Sequence, residues 1–171
     1  DGTAFFDDIF DGARWAADHG AKAVNCSFSG VDYPPVQTTG EYLRTKGCLY
    51  FFAAGNDNRN LSMFDWPDVI VVGGTDSNDN KYSASAYGLG VDVFAPATGI
   101  YSTVKGGNFY GSGTGTSFAT PIAVGIAGMI FSANPSLTPA EVEAALESGC
   151  KDMGAVGNDS YWGWGRVDTY R

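Results

Sequence analysis

Two short apolar runs do most to restrict the fold, Cys48–Ala54 (CLYFFAA) and Asp68–Gly73 (DVIVVG). A strand with one wet face alternates polar and apolar residues, whereas these runs are apolar at consecutive positions. That is the pattern of strands buried on both faces, as in a parallel sheet covered by helices. Lys22–Phe28 (KAVNCSF), bounded by Gly20 and Gly30, and Val91–Ala95 (VDVFA), ended by Pro96, read as further short strands of the same kind.

Helical patterns fall between and after them. From Phe5 to Asp18 the apolar residues Phe6, Ile9, Phe10, Ala13, Ala16 and Ala17 recur at helical spacing, and Gly20 supplies a stop. Gly40–Lys46 predicts a short helix. Ser117–Ser132 predicts a long one rich in small residues, with Pro121 tolerated in its first turn. Thr138-Pro139-Ala140-Glu141 is a capping box that starts a helix through about Glu147. Asp76–Asn80 is a turn-forming cluster, and Ile100–Tyr110, with Gly106-Gly107, reads as a hairpin. The fold class is therefore α/β, a mostly parallel sheet flanked by helices in three layers. With 171 residues, 44% hydrophobic, and no repeat or low-complexity linker, one domain is expected.

A net charge of -9 gives no basic face for phosphate, so neither nucleic acid nor an anionic membrane is an expected partner. The apolar stretches Leu49–Ala54 and Ile122–Phe131 fall short of the roughly 20 residues of a membrane helix, so no membrane span is expected. Asp1–Asp8 carries acids where a secretory signal carries bases. Cys26, Cys48 and Cys150 are an odd set without metal-ligand spacing, expected to be small buried hydrophobes or to include one structural disulfide.

Candidate chemistry lies at two places. Gly113–Pro121 (GTGTSFATP) puts Ser117 at the start of a helix, among unpaired N–H groups and the positive end of the helix dipole. A nucleophile with its own N–H as oxyanion donor fits that position; so does a plain N-cap serine. Ala53-Ala54-Gly55-Asn56 ends a buried strand in a side-chain amide, which can donate to an oxyanion or simply occupy a turn. In a parallel α/β sheet, strand C-termini and helix N-termini share one edge, so Ser27, Asn56 and Ser117 are expected together there.

On these residues the chain resembles the subtilisin-like serine proteases. VNCSFSG resembles the family's substrate-binding strand, FAAGNDN its oxyanion segment and GTSFATP its nucleophile motif; DVIVVGGTDS, VDVFAP and YWGWGRVD resemble later strands and the closing segment. The resemblance implies that residues 1–171 are the C-terminal portion of a single peptidase domain whose N-terminal part is missing. It implies an endopeptidase in which Ser117 attacks the scissile carbonyl while Asn56 and the Ser117 N–H hold the oxyanion. Ser27, Phe28 and Ser29 would pair with an extended peptide substrate, and Ala53, Ala54 and Gly55 would line the pocket before the cleaved bond. Ser29 stands where the family often has glycine. The resemblance also implies no cofactor for the chemistry, a structural calcium to which Asp92 could contribute, an inhibitory propeptide and a secreted location.

A serine nucleophile needs a base, and the sequence holds one histidine, His19. It follows the first helix and precedes a strand, which puts it at the opposite edge of the sheet from Ser117, roughly 20 Å away for six strand residues. The family's Asp and His precede the segment matched here, so the chain alone is expected to be inactive, and its partner is a segment or chain bearing them. The competing reading is a non-catalytic domain that holds a peptide without cutting it. A G-x-S-x-G hydrolase and a P-loop are both excluded around Ser117, the latter for want of its lysine.

Overall fold

The computed structural model describes residues 4–105 and 109–170. In chain order the elements are α1 (Phe6–Asp18), β1 (Ala23–Cys26), α2 (Pro35–Thr45), β2 (Leu49–Ala53), β3 (Ile70–Thr75), β4 (Val93–Pro96), β5 (Ile100–Thr103), β6 (Tyr110–Gly113), α3 (Thr116–Ala133) and α4 (Pro139–Ser148). Strands β1 to β4 form one parallel sheet in sequence order, with Asn25 opposite Phe51, Phe52 opposite Val71 and Gly73 opposite Phe94.

The consecutive apolar residues of β2 divide between two cores, as strand geometry dictates. Tyr50, Phe52 and Ala54 point toward α1, packing with Phe10, Ala13 and Ala17. Leu49 and Phe51 point the other way, against Ala119, Ala123 and Ala127 of α3 and Val142 and Leu146 of α4. Each large side chain buried in this way contributes about 1.5–3 kcal/mol. This is the three-layer arrangement expected from the sequence, with shorter strands: β1 covers only Ala23–Cys26 of the expected Lys22–Phe28.

The second helix departs from expectation. It begins at Pro35, not Gly40, because Pro34 and Pro35 already hold helical backbone at its first turn. Gly40 is an interior residue chosen for closeness: a Cβ there would lie 2.5 Å from the Asp68 carbonyl oxygen and 2.6 Å from a Val69 methyl. The capping box of α4 forms as expected, Thr138 Oγ1 accepting from the Glu141 N–H and Glu141 Oε2 from the Thr138 N–H at 2.7 Å. The Asp76–Asn80 turn also forms, Asp76 Oδ1 accepting from the Asn78 and Asn80 N–H groups. The hairpin is β5 against β6; its Gly106-Gly107 tip lies outside the described residues.

Helix α3 runs farther than the apolar run Ile122–Phe131, and its 18 uncharged residues reach the length and apolarity of a membrane-crossing helix. Here it lies against the sheet through Ala119, Ala123, Ala127 and Phe131, as a core helix does. All three cysteines are free and buried, so of the two readings the hydrophobe holds and the disulfide does not. Burial pushes the thiols of Cys26 and Cys48 up to about 11 and that of Cys150 to about 12.

Candidate active site

The carboxyl edge of the sheet gathers the residues that sequence patterns single out. Residues 27–29 follow β1, residues 54–58 follow β2, and the N-terminus of α3 stands above both. Direct bonds join them. Ser27 Oγ donates to the Ser117 carbonyl at 2.9 Å, and the Gly115 N–H donates to the Ala97 carbonyl beyond β4 at 2.8 Å.

Ser117 is not the N-cap of α3. Gly115 takes that position and Ser117 is the second helical residue, half-buried, its hydroxyl without a hydrogen-bond partner among the described residues. Its neighbours' amides are occupied: Thr116 N–H donates to Asn56 Oδ1 at 2.9 Å and Phe118 N–H to the Gly115 carbonyl at 3.0 Å. Among the described residues the Ser117 N–H has no such partner. The amide that the helix leaves free is the one beside the serine hydroxyl, where the helix dipole favours negative charge.

The Asn56 side chain borders the same place. Its carbonyl oxygen is held by the Thr116 N–H and, at 3.3 Å, by the Thr116 hydroxyl, which leaves Nδ2 pointing away as a donor. A Cβ built on Gly115 would lie 3.3 Å from Ser117 Oγ and 3.4 Å from both Nδ2 and Oδ1 of Asn56. The two groups therefore flank one small space, which a side chain at residue 115 would fill. Gly115 also has φ +148, a conformation that L residues rarely adopt.

Thr116 is the residue that sequence reasoning missed. It is fully buried; its hydroxyl accepts from the Gly55 N–H at 3.2 Å while binding Asn56, so one side chain ties the serine-bearing helix to the asparagine-bearing strand end. The signal was present as the threonine of the GTS triplet, but its partners are some sixty positions away.

The expected substrate contacts divide into two kinds. Phe28 and Ser29 are exposed, and residues 27–29 make no backbone–backbone hydrogen bond among the described residues, so their backbone is open to an extended peptide. Ala53, Ala54 and Gly55 are buried. The Ala54 N–H goes to the Val72 carbonyl, and Gly55 is engaged through both N–H and carbonyl. These three can form a wall but not a pairing strand. The rim nearby is closed by Arg59, which reaches Asp32 at 2.8 Å and Asp57 at 3.4 Å. The hydrogen bond from Arg59 holds the Asp32 carboxyl below the usual carboxylate range.

His19 lies where the sequence places it, at the C-terminal end of α1 and the opposite edge of the sheet. It is exposed, its ring stacked on Trp15 and Nδ1 2.7 Å from the Trp15 carbonyl. Asp92 turns its carboxyl inward to accept the Val71 N–H at 2.7 Å, and burial pushes its pKa well above the usual range. No group of three or more His, Cys, Asp or Glu side chains gathers among the described residues.

A sequence profile described as the Subtilase family matches residues 4–165. Among curated proteins, thermitase of Thermoactinomyces vulgaris is 36% identical over 99% of this chain and 60% of its own length. Subtilisin E of Bacillus subtilis (strain 168) is 32% identical over 98% of this chain and 45% of its own. Among solved structures, a protease from Pseudoalteromonas arctica PAMC 21717 superimposes with a TM-score of 0.84 at 29% identity, over 96% of this chain and 57% of that one. A lanthipeptide protease gives a TM-score of 0.85 at 20% identity, a likeness of fold, over 96% of this chain and 64% of that one. The chain thus spans about half the length of the curated relatives it matches.

Proposed function

This chain belongs to the subtilase family of serine proteases, and on that premise we propose that residues 1–171 supply the nucleophile and oxyanion half of a peptidase domain. Ser117 Oγ attacks the scissile carbonyl of a peptide lying along residues 27–29. The carbonyl oxygen, as it becomes negative, takes hydrogen bonds from Asn56 Nδ2 and the Ser117 N–H. The Oγ proton passes through the outside base to the leaving amine as the peptide C–N bond breaks, and the acyl group left on Ser117 is then transferred to water. The observation that supports this reading is the space shared by Ser117 Oγ and the Asn56 side-chain amide, kept open by Gly115, with the amide oxygen already held by Thr116.

The base must come from outside these residues, because the one histidine of the chain stands at the far edge of the sheet. Two surfaces support a second segment bearing the Asp and His. Strand β1 is an edge strand, and beside it a cleft of about 300 Å³ runs between α1 and β1, lined by Ile9, Gly12, Val24, Cys26 and Phe28. Helix α3 leaves Pro121, Gly125, Gly128 and Met129 exposed on an uncharged face that starts one turn from Ser117. Covering such a face removes apolar surface from water. By likeness to its relatives the whole protein acts outside the cytoplasm.

The test is fluorophosphonate labelling of the chain, alone and joined to a segment carrying the family's Asp and His, with Ser117→Ala as control. Labelling of Ser117 only in the joined form is expected. Strong labelling of the chain alone would refute the need for an outside base. No labelling in either form would leave the cleft as a surface that holds peptides without cutting them.

A further inference from the structure

Lys81 is the cation whose surroundings the chemistry above leaves unexplained. Its ammonium makes no ion pair among the described residues, yet it is turned inward, where burial pushes its pKa below the ordinary lysine value. Three oxygens receive its three protons: Asn58 Oδ1 at 2.9 Å, the Ser85 carbonyl at 2.8 Å and the Tyr82 carbonyl at 3.3 Å. The rings of Tyr87 and Tyr161 stand 5.5 and 5.9 Å from it. An ammonium kept partly desolvated without a carboxylate is costly unless its protons are hydrogen-bonded, and here the bonds that offset this cost also have a use.

The use is visible in what the oxygens belong to. Asn58 is two residues past Asn56 and has φ 51, a left-handed conformation that needs support in a non-glycine residue. Its N–H donates to the Ala84 carbonyl at 2.8 Å, and the Gly55 carbonyl accepts from the Ala86 N–H at 3.0 Å. The turn 82–86 thus grips the chain on both sides of Asn56, and Lys81 bonds the turn and Asn58 together. We propose that Lys81 is a positioning residue for Asn56, fixing the path of the backbone on which the oxyanion donor is mounted. This rests on the reading of Asn56 as that donor.

Lys81→Met keeps an unbranched side chain of nearly the same length and removes the charge and its three donors. In the 171-residue chain, amide hydrogen exchange at Asn58 and Ala86 is expected to rise about tenfold, as for loss of one hydrogen-bonded clamp, with exchange in β2 and β3 unchanged. In the joined, active form kcat falls about tenfold with KM unchanged, and in an Asn56→Ala background Lys81→Met causes no further loss. Asn58→Gly, which keeps the left-handed backbone and removes the acceptor, gives the same pattern if Lys81→Met folds poorly. Unchanged exchange at both amides overturns the proposal whether or not the joined form turns over. A kcat loss of the same size with and without Asn56 overturns it too, since Lys81 would then act elsewhere. Absence of turnover in the joined wild type would count against the catalytic reading of Asn56, and the exchange result would still decide the clamp.

Discussion

Replacing Thr116 by valine is the sharpest test of how the candidate site is built. Valine has nearly the shape of threonine, so the packing of this fully buried side chain is kept and only the hydroxyl is lost. Two consequences follow. Asn56 Oδ1 keeps the Thr116 N–H at 2.9 Å but loses the hydroxyl at 3.3 Å, so its amide is held by one bond in place of two. The Gly55 N–H loses its acceptor at a buried position that water does not reach. An unsatisfied buried donor costs about 1–3 kcal/mol. For a chain of 171 residues, each kcal/mol moves the thermal midpoint by roughly 2–4 °C, so a loss of about 2 kcal/mol lowers it by about 4–8 °C. Calorimetry of the chain measures this, and the rate of Ser117 labelling in the joined form, expected to fall about tenfold, measures the looser amide. Thr116→Ser, which keeps the hydroxyl, should recover most of both. A valine variant as stable as wild type, or a serine variant as impaired as valine, would refute the reasoning.

Other outcomes are expected on the same footing. Gly40→Ala should destabilise the chain by about 1–2 kcal/mol in urea unfolding, because overpacking against the Asp68 carbonyl outweighs the gain in helix propensity; stabilisation would mean that α2 can move away. Burial and the neighbouring Glu143 push the Glu147 carboxyl up to about 7. A carboxyl that keeps its proton longer when folded contributes stability below its ordinary value near 4.5, and that stability is lost as pH rises toward 7. The loss should be about 1–2 kcal/mol once solvent screening is allowed for, and Glu147→Gln should flatten the profile over that range. None of the three buried thiols should react with a thiol reagent at pH 8 until the chain is unfolded, when all three should. Rapid native labelling of any of them would show that the core opens at that cysteine.

The layers of the fold were legible because the signals are local. Consecutive apolar residues in CLYFFAA and DVIVVG require burial on two faces, and the capping box at Thr138–Glu141 closes within one turn. The edge shared by Ser27, Asn56 and Ser117 followed from strand and helix direction alone. Local reading failed where a residue answers to something distant. Gly40 looked like a helix boundary because glycine usually breaks helices, and only the Asp68–Val69 backbone against it gives the reason for its lack of a side chain. Ser117 had two readings at a helix start, and the N-cap one falls only because Gly115 is the cap.

The sequence by itself determined which elements form, which faces they bury and which serine and asparagine can meet, since periodicity, capping and strand polarity are properties of neighbours along the chain. Tertiary structure decided how the groups point: Asn56 turned by Thr116, the Ser117 N–H left free, Arg59 across the rim and Lys81 beneath the loop. Each orientation includes a hydrogen bond or ion pair between distant residues, from Lys81 and Asn58, 23 positions apart, to Thr116 and Gly55, 61 apart, whose geometry exists only once the sheet has brought them together.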